Sequence, residues 1–120
     1  MGLDMYALTT RERPNAAHGF KVEQAEQIHC WRKHPNLHGW MENLYFEKGG
    51  QETFNCLPLV LLLEDLDRLE ADITAGNLPD TSGFFFGVSD GSESEDDLAF
   101  IAKARAAIAE GKTVFYDSWW

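Results

Sequence analysis

Thiols are scarce in this 120-residue chain: Cys30 and Cys56 are the only cysteines, and neither belongs to a Cys-x-x-Cys pair. That excludes a zinc ribbon and a thioredoxin-type redox motif, and in a reducing compartment both are expected as free thiols packed like small apolar groups. Long apolar runs are missing too. The longest, Leu57 to Leu63, contains Pro58 and falls well short of the roughly 18–20 residues a membrane span needs, so no membrane partner is expected. The opening Met-Gly-Leu-Asp-Met-Tyr has neither the basic nor the apolar region of a signal peptide, which predicts retention in the cytoplasm. Gly-x-Gly-x-x-Gly and Gly-x-x-x-x-Gly-Lys patterns are absent, which removes the usual phosphate-cradling loops.

Positive charge is the other shortage. Ten Lys and Arg face 20 Asp and Glu, for a formal net charge of −10. The deficit is uneven: residues 1–60 hold 6 basic and 7 acidic side chains, whereas residues 61–120 hold 4 and 13, a net −9. An acidic half repels phosphate backbones, which argues against nonspecific nucleic-acid binding. It attracts basic protein surfaces and speeds encounter with them. What is present is ordinary globular material: 44% hydrophobic and 12% aromatic residues, enough for one domain with its own core.

The pattern of apolar residues predicts the elements. Leu3 to Thr10 and Ile28 to Arg32 read as strands, the second with Ile28 and Cys30 on one face. Pro35 suits the first position of a helix whose Leu37, Trp40, Met41, Leu44 and Tyr45 fall on one face and which Gly49 and Gly50 end. Thr53 to Val60 reads as a strand, followed by a helix with Leu62, Leu66, Leu69 and Ile73 in register and a stop at Gly76. Ser92-x-x-Glu95 and Ser94-x-x-Asp97 both fit a capping box for a third helix ending at Gly111. Thr113 to Trp120 closes the chain as an aromatic strand. The expected fold is α+β: a small, largely antiparallel sheet of about four strands covered by three helices, with the terminal strands paired at its centre.

Two segments concentrate chemistry. His29-Cys30-Trp31-Arg32-Lys33-His34-Pro35-Asn36-Leu37-His38 places cations and imidazoles at a strand-to-helix junction. Zinc there would require His34 and His38 on one helical face, but Pro35 pushes His34 out of helical geometry, so no metal is expected. An anion is the better fit: Arg32 and Lys33 precede a helix N-terminus, with Asn36 or His38 completing the contacts. Thr81-Ser82-Gly83-Phe84-Phe85-Phe86-Gly87 is the second segment. Three adjacent rings in an extended chain cannot all face one core, which leaves a ring such as Phe85 for a groove or a partner, with Ser82 and Gly83 beside it. The acids Asp96 and Asp97 fall in the first turn of the third helix, where carboxylates suit the macrodipole and can face a basic partner.

Taken together, Met1 to Tyr6, Trp31-Arg32-Lys33 with His38 and Trp40, Cys56 before an acidic helix, Thr81 to Gly87 and Tyr116-Asp117-Ser118-Trp119 resemble a family of small proteins encoded by bacteriophages and bacterial prophages. The likeness runs over nearly the whole chain, although Pro35 stands near the place where relatives have asparagine and Asn36 lies beside it. Some relatives carry a phosphoglycerate kinase label, which a 120-residue chain without a phosphate loop does not support. The resemblance implies a non-enzymatic accessory protein, without a cofactor, that binds a component of the bacterial host such as a defence protein. The alternative expectation is a binder or enzyme for a small anionic or phosphorylated ligand held by Trp31, Arg32, Lys33, His34, Asn36, His38, Ser82 and Gly83.

Overall fold

A computed structural model describes residues 2–83, 87 and 89–120; the expectation for Phe85 falls outside them. The order is β1 (Asp4–Thr10), β2 (Glu26–Arg32), α1 (Pro35–Glu47), β3 (Leu59–Leu61), α2 (Leu63–Ala75), α3 (Ser94–Ala109) and β4 (Thr113–Trp119). The strands form one antiparallel sheet in the order β2-β1-β4-β3. The fold is therefore α+β as expected, and the two terminal strands are its central pair. Among the described residues no helix is long and apolar enough to cross a membrane.

Strand alternation decides which face is covered. Met5, Ala7 and Thr9 pair with Ser118, Tyr116 and Val114, and all are buried beneath the helices together with Leu59 and Leu61. On β2 the inward positions are His29 and Trp31, opposite Ala7 and Met5. Cys30 therefore points to the other face and is exposed, as is Cys56; the expectation that both thiols would be buried is corrected. The register slips between Ala7 and Leu8, so the one-residue bulge moves Ile28 off the face it was expected to share with Cys30.

The helices bury Leu37, Met41 and Leu44 of α1, Leu66 and Leu69 of α2, and Phe100, Ile101 and Ala104 of α3 in one continuous core. Pro35 occupies the first turn of α1, and Gly76 ends α2 in the left-handed conformation. Two sequence expectations need correction. Thr53 to Val60 is a strand only from Leu59. Phe54 stacks between Tyr45 and His38 at centroid distances of 4.8 and 5.3 Å, and Cys56 adopts φ 59°, so the chain cannot run straight. Helix α3 has Glu93 at its N-cap with no side-chain cap. Its entry is built instead by Glu93 accepting the Asp90 and Gly91 N–H groups and by Asp90 accepting that of Ser92.

Candidate functional site

The β2–α1 junction and the first turn of α3 are joined by adjacent carboxylates that point in opposite directions. Asp96 reaches outward to His29 Nε2 at 2.9 Å, and His29 Nδ1 lies 3.2 Å from Lys103 Nζ. A carboxylate and an ammonium fix the roles: Nε2–H donates to Asp96 and Nδ1 accepts from Lys103. Asp97 points inward and is 1% exposed. One of its oxygens accepts Trp31 Nε1–H at 2.9 Å and the other accepts His34 Nε2–H at 2.9 Å. In a neutral His34 ring, Nδ1 then accepts the Ser89 hydroxyl, 2.6 Å away, and the Ser89 oxygen accepts Asn36 N–H at 3.1 Å.

That chain has the order of a Ser–His–Asp relay; its serine, which the sequence reading passed over, is the central residue of a Gly-x-Ser-x-Gly string, Gly87-Val88-Ser89-Asp90-Gly91. Acyl transfer also needs free N–H donors aimed at a developing oxyanion. Here the serine oxygen itself occupies Asn36 N–H at the start of α1. The arrangement caps the helix and ties Ser89 to it. Asn36 Oδ1 accepts Thr81 N–H at 3.0 Å. Lys33 adopts φ 56°, and a Cβ on Gly87 would lie 2.7 Å from Lys33 Cβ. Only glycine, itself at φ 79°, lets the end of the aromatic motif approach this corner.

Thr81 and Gly87, at the two ends of the aromatic segment, therefore do contact the cationic corner, but not around an anion. A cleft of about 300 Å³ beside His34 and Asn36 is lined instead by Ser89 and by Asp90, Glu93 and Asp97. Arg32 points to the opposite sheet face, exposed and 3.7 Å from Asp4. Lys33, Ser82 and Gly83 are exposed. His34, His38, Trp31 and Asp97 are inside, so contact with a partner through these four, expected from sequence, is not open to the folded chain. Of the expected acids, Asp96 alone remains at the surface.

His38 serves the core. It is 2% exposed, and its Nδ1 lies 2.7 Å from the Tyr116 hydroxyl. Burial lowers its pKa to about 4, and burial raises that of Tyr116. His34 and His38 thus answer to different partners. Among the described residues no three His, Cys, Asp or Glu gather as a metal site. Nothing in sequence spacing links Ser89 to His34 or Tyr116 to His38, since each pair joins segments far apart in the chain.

No family model, curated protein or solved structure matches this chain.

Proposed function

We propose that this chain is a small acidic accessory protein that acts by binding a protein of a bacterial host, and that it docks through the outer face of α3. One observation carries the reading: α3 is apolar on both faces, and one of them is uncovered. Phe100, Ile101, Ala104 and Ala107 face the core, while Leu98, Ala99, Ala102, Ala106 and Ala109 lie exposed on the other side. A surface helix normally presents a polar outer stripe; small apolar side chains instead allow another backbone to approach closely. Glu93 at the N-cap and Glu95 and Asp96 in the first turn make the entry of the same helix acidic. The pairing of an apolar stripe with an acidic end selects a basic, apolar partner surface. The site at the β2–α1 junction supports this reading by elimination, because its cations do not converge and its cleft is lined by carboxylates.

The test is affinity capture from bacterial lysate with wild-type protein and with Ala102→Arg, which places a bulky cation on the exposed stripe without touching the core. A specific partner recovered by wild type, weakened by salt and lost with Ala102→Arg, is the expected result. Equal recovery by both proteins would refute docking through α3.

A further inference from the structure

A groove at the sheet edge differs in character from that helix stripe, and its electrostatics run against the whole chain. It encloses about 740 Å³ at the edge of the sheet, inside the roughly 300–1,000 Å³ range of small-molecule sites. In a protein of net charge −10, the groove is lined by Arg13, Lys48 and Lys112 and by no carboxylate residue. Apart from Thr113, every other lining side chain is aliphatic or proline.

The local chain explains how the groove arises. At the turn from β3 into α2, Leu62 occupies the N-cap position, where a short polar side chain is usual. Asp65 takes over the capping, its Oδ2 accepting Leu62 N–H at 2.8 Å. Lys48 Nζ neutralises Asp65 at 2.6 Å and also donates to Val60 O. With capping delegated in this way, Leu62 and Leu63 remain 46% and 50% exposed on the groove. Lys48 is thus committed to structure, whereas Arg13 and Lys112 are available: Arg13 is exposed with no ion pair among the described residues, and Lys112 has only a loose contact, 3.7 Å, with exposed Glu110. Such a pair contributes little.

We infer that this groove binds a small amphipathic anion: an unbranched acyl chain carrying a carboxylate, with the chain on Leu62 and Leu63 and the head between Arg13 and Lys112. Ring ligands fit poorly because the lining offers no aromatic face for stacking. A peptide strand is also excluded at this edge. Val60 N–H already donates to Ala17 O and Gly19 N–H to Pro58 O, each at 2.9 Å, so the outer edge of β3 is paired. What remains is apolar surface with two cations at its rim, which matches a chain and a single negative charge.

The probe is dodecanoate below its micellar concentration, titrated calorimetrically into the full chain, with thermal denaturation in parallel. Dodecanoate is expected to bind and to raise the Tm. Arg13→Glu combined with Lys112→Glu, both at exposed or rim positions, is expected to weaken it roughly tenfold or more. Dodecanol, which lacks the charge, is expected to bind at least about tenfold more weakly than dodecanoate. Arg68→Glu, whose side chain pairs with Glu47 outside the groove, leaves the affinity unchanged. Absence of dodecanoate binding, equal binding of dodecanol, or an affinity untouched by the double charge reversal would each overturn the inference. None of these outcomes bears on the α3 surface, which Ala102→Arg tests separately.

Discussion

Replacing Asp97 by alanine removes a group that ties the end of β2, the entry to α1 and the start of α3 together. Its two oxygens accept the Trp31 indole N–H and the His34 ring N–H at 2.9 Å each, in a place where Asp97 and His34 are 1% and 3% exposed. An orphaned buried donor costs about 1–3 kcal/mol. Two donors are orphaned here, so Asp97→Ala should cost about 2–6 kcal/mol, a large share of the roughly 5–15 kcal/mol that holds a domain folded. Asp97→Asn keeps one acceptor for Trp31 and should cost about 1–2 kcal/mol. Urea unfolding followed by tryptophan fluorescence and far-UV circular dichroism measures both, because Trp31 reports on its own environment. A cost below about 1 kcal/mol for Asp97→Ala would show that the junction is not held as described.

Three further outcomes are expected. His38 has a pKa of about 4 against an ordinary 6.5 because it is buried, so the folded state resists its protonation. Its contribution to stability is complete above pH 6.5 and is lost as pH falls toward 4, about 3 kcal/mol in all; unfolding of wild type and His38→Gln across that range should differ in slope, and parallel curves would contradict it. Lys48→Met leaves buried Asp65 unpaired and should cost about 3 kcal/mol, whereas Arg68→Met breaks a pair exposed on both sides and should cost less than about 1 kcal/mol in the same urea assay. A Cβ at Gly39 would collide with the Thr81 side chain; Gly39→Ala should cost about 1–3 kcal/mol and speed hydrogen exchange at the Thr81 amide, and unchanged exchange would argue that the loop does not rest on α1.

Much of this architecture is legible in the residues. Pro35 and the spacing of Leu37, Trp40, Met41 and Leu44 define α1, because helix periodicity and a proline start are local signals. The aromatic, β-branched character of both termini marks the strands that pair at the sheet centre. Failures came where a distant partner decides. Thr53 to Leu57 has residues that suit a strand, but the ring of Phe54 is held in a stack with Tyr45, His38 and Tyr116. Trp120 pins the same loop through Asn55, its N–H donating to Asn55 Oδ1 at 3.0 Å.

The candidate site shows the same division. Carboxylates at the start of α3 follow from macrodipole reasoning, yet nothing local separates Asp96 at the surface from Asp97 in the core. That distinction depends on where Trp31 and His34 lie after folding. Arg32 and Lys33 are neighbours in sequence, but strand alternation and the left-handed turn at Lys33 keep the Arg32 side chain on the opposite sheet face from the helices. The uncovered stripe of α3 was present in its sequence as alanines on both sides of the helix, and only burial shows which side lacks a cover.

The most direct measurement places a photo-crosslinking amino acid at position 102 in the protein produced inside bacterial cells, with position 23, an exposed loop site, as the comparison. Docking through the outer face of α3 predicts a discrete higher-mass adduct from position 102 and none from position 23. Adducts from position 23 alone, or none from position 102, would contradict the account.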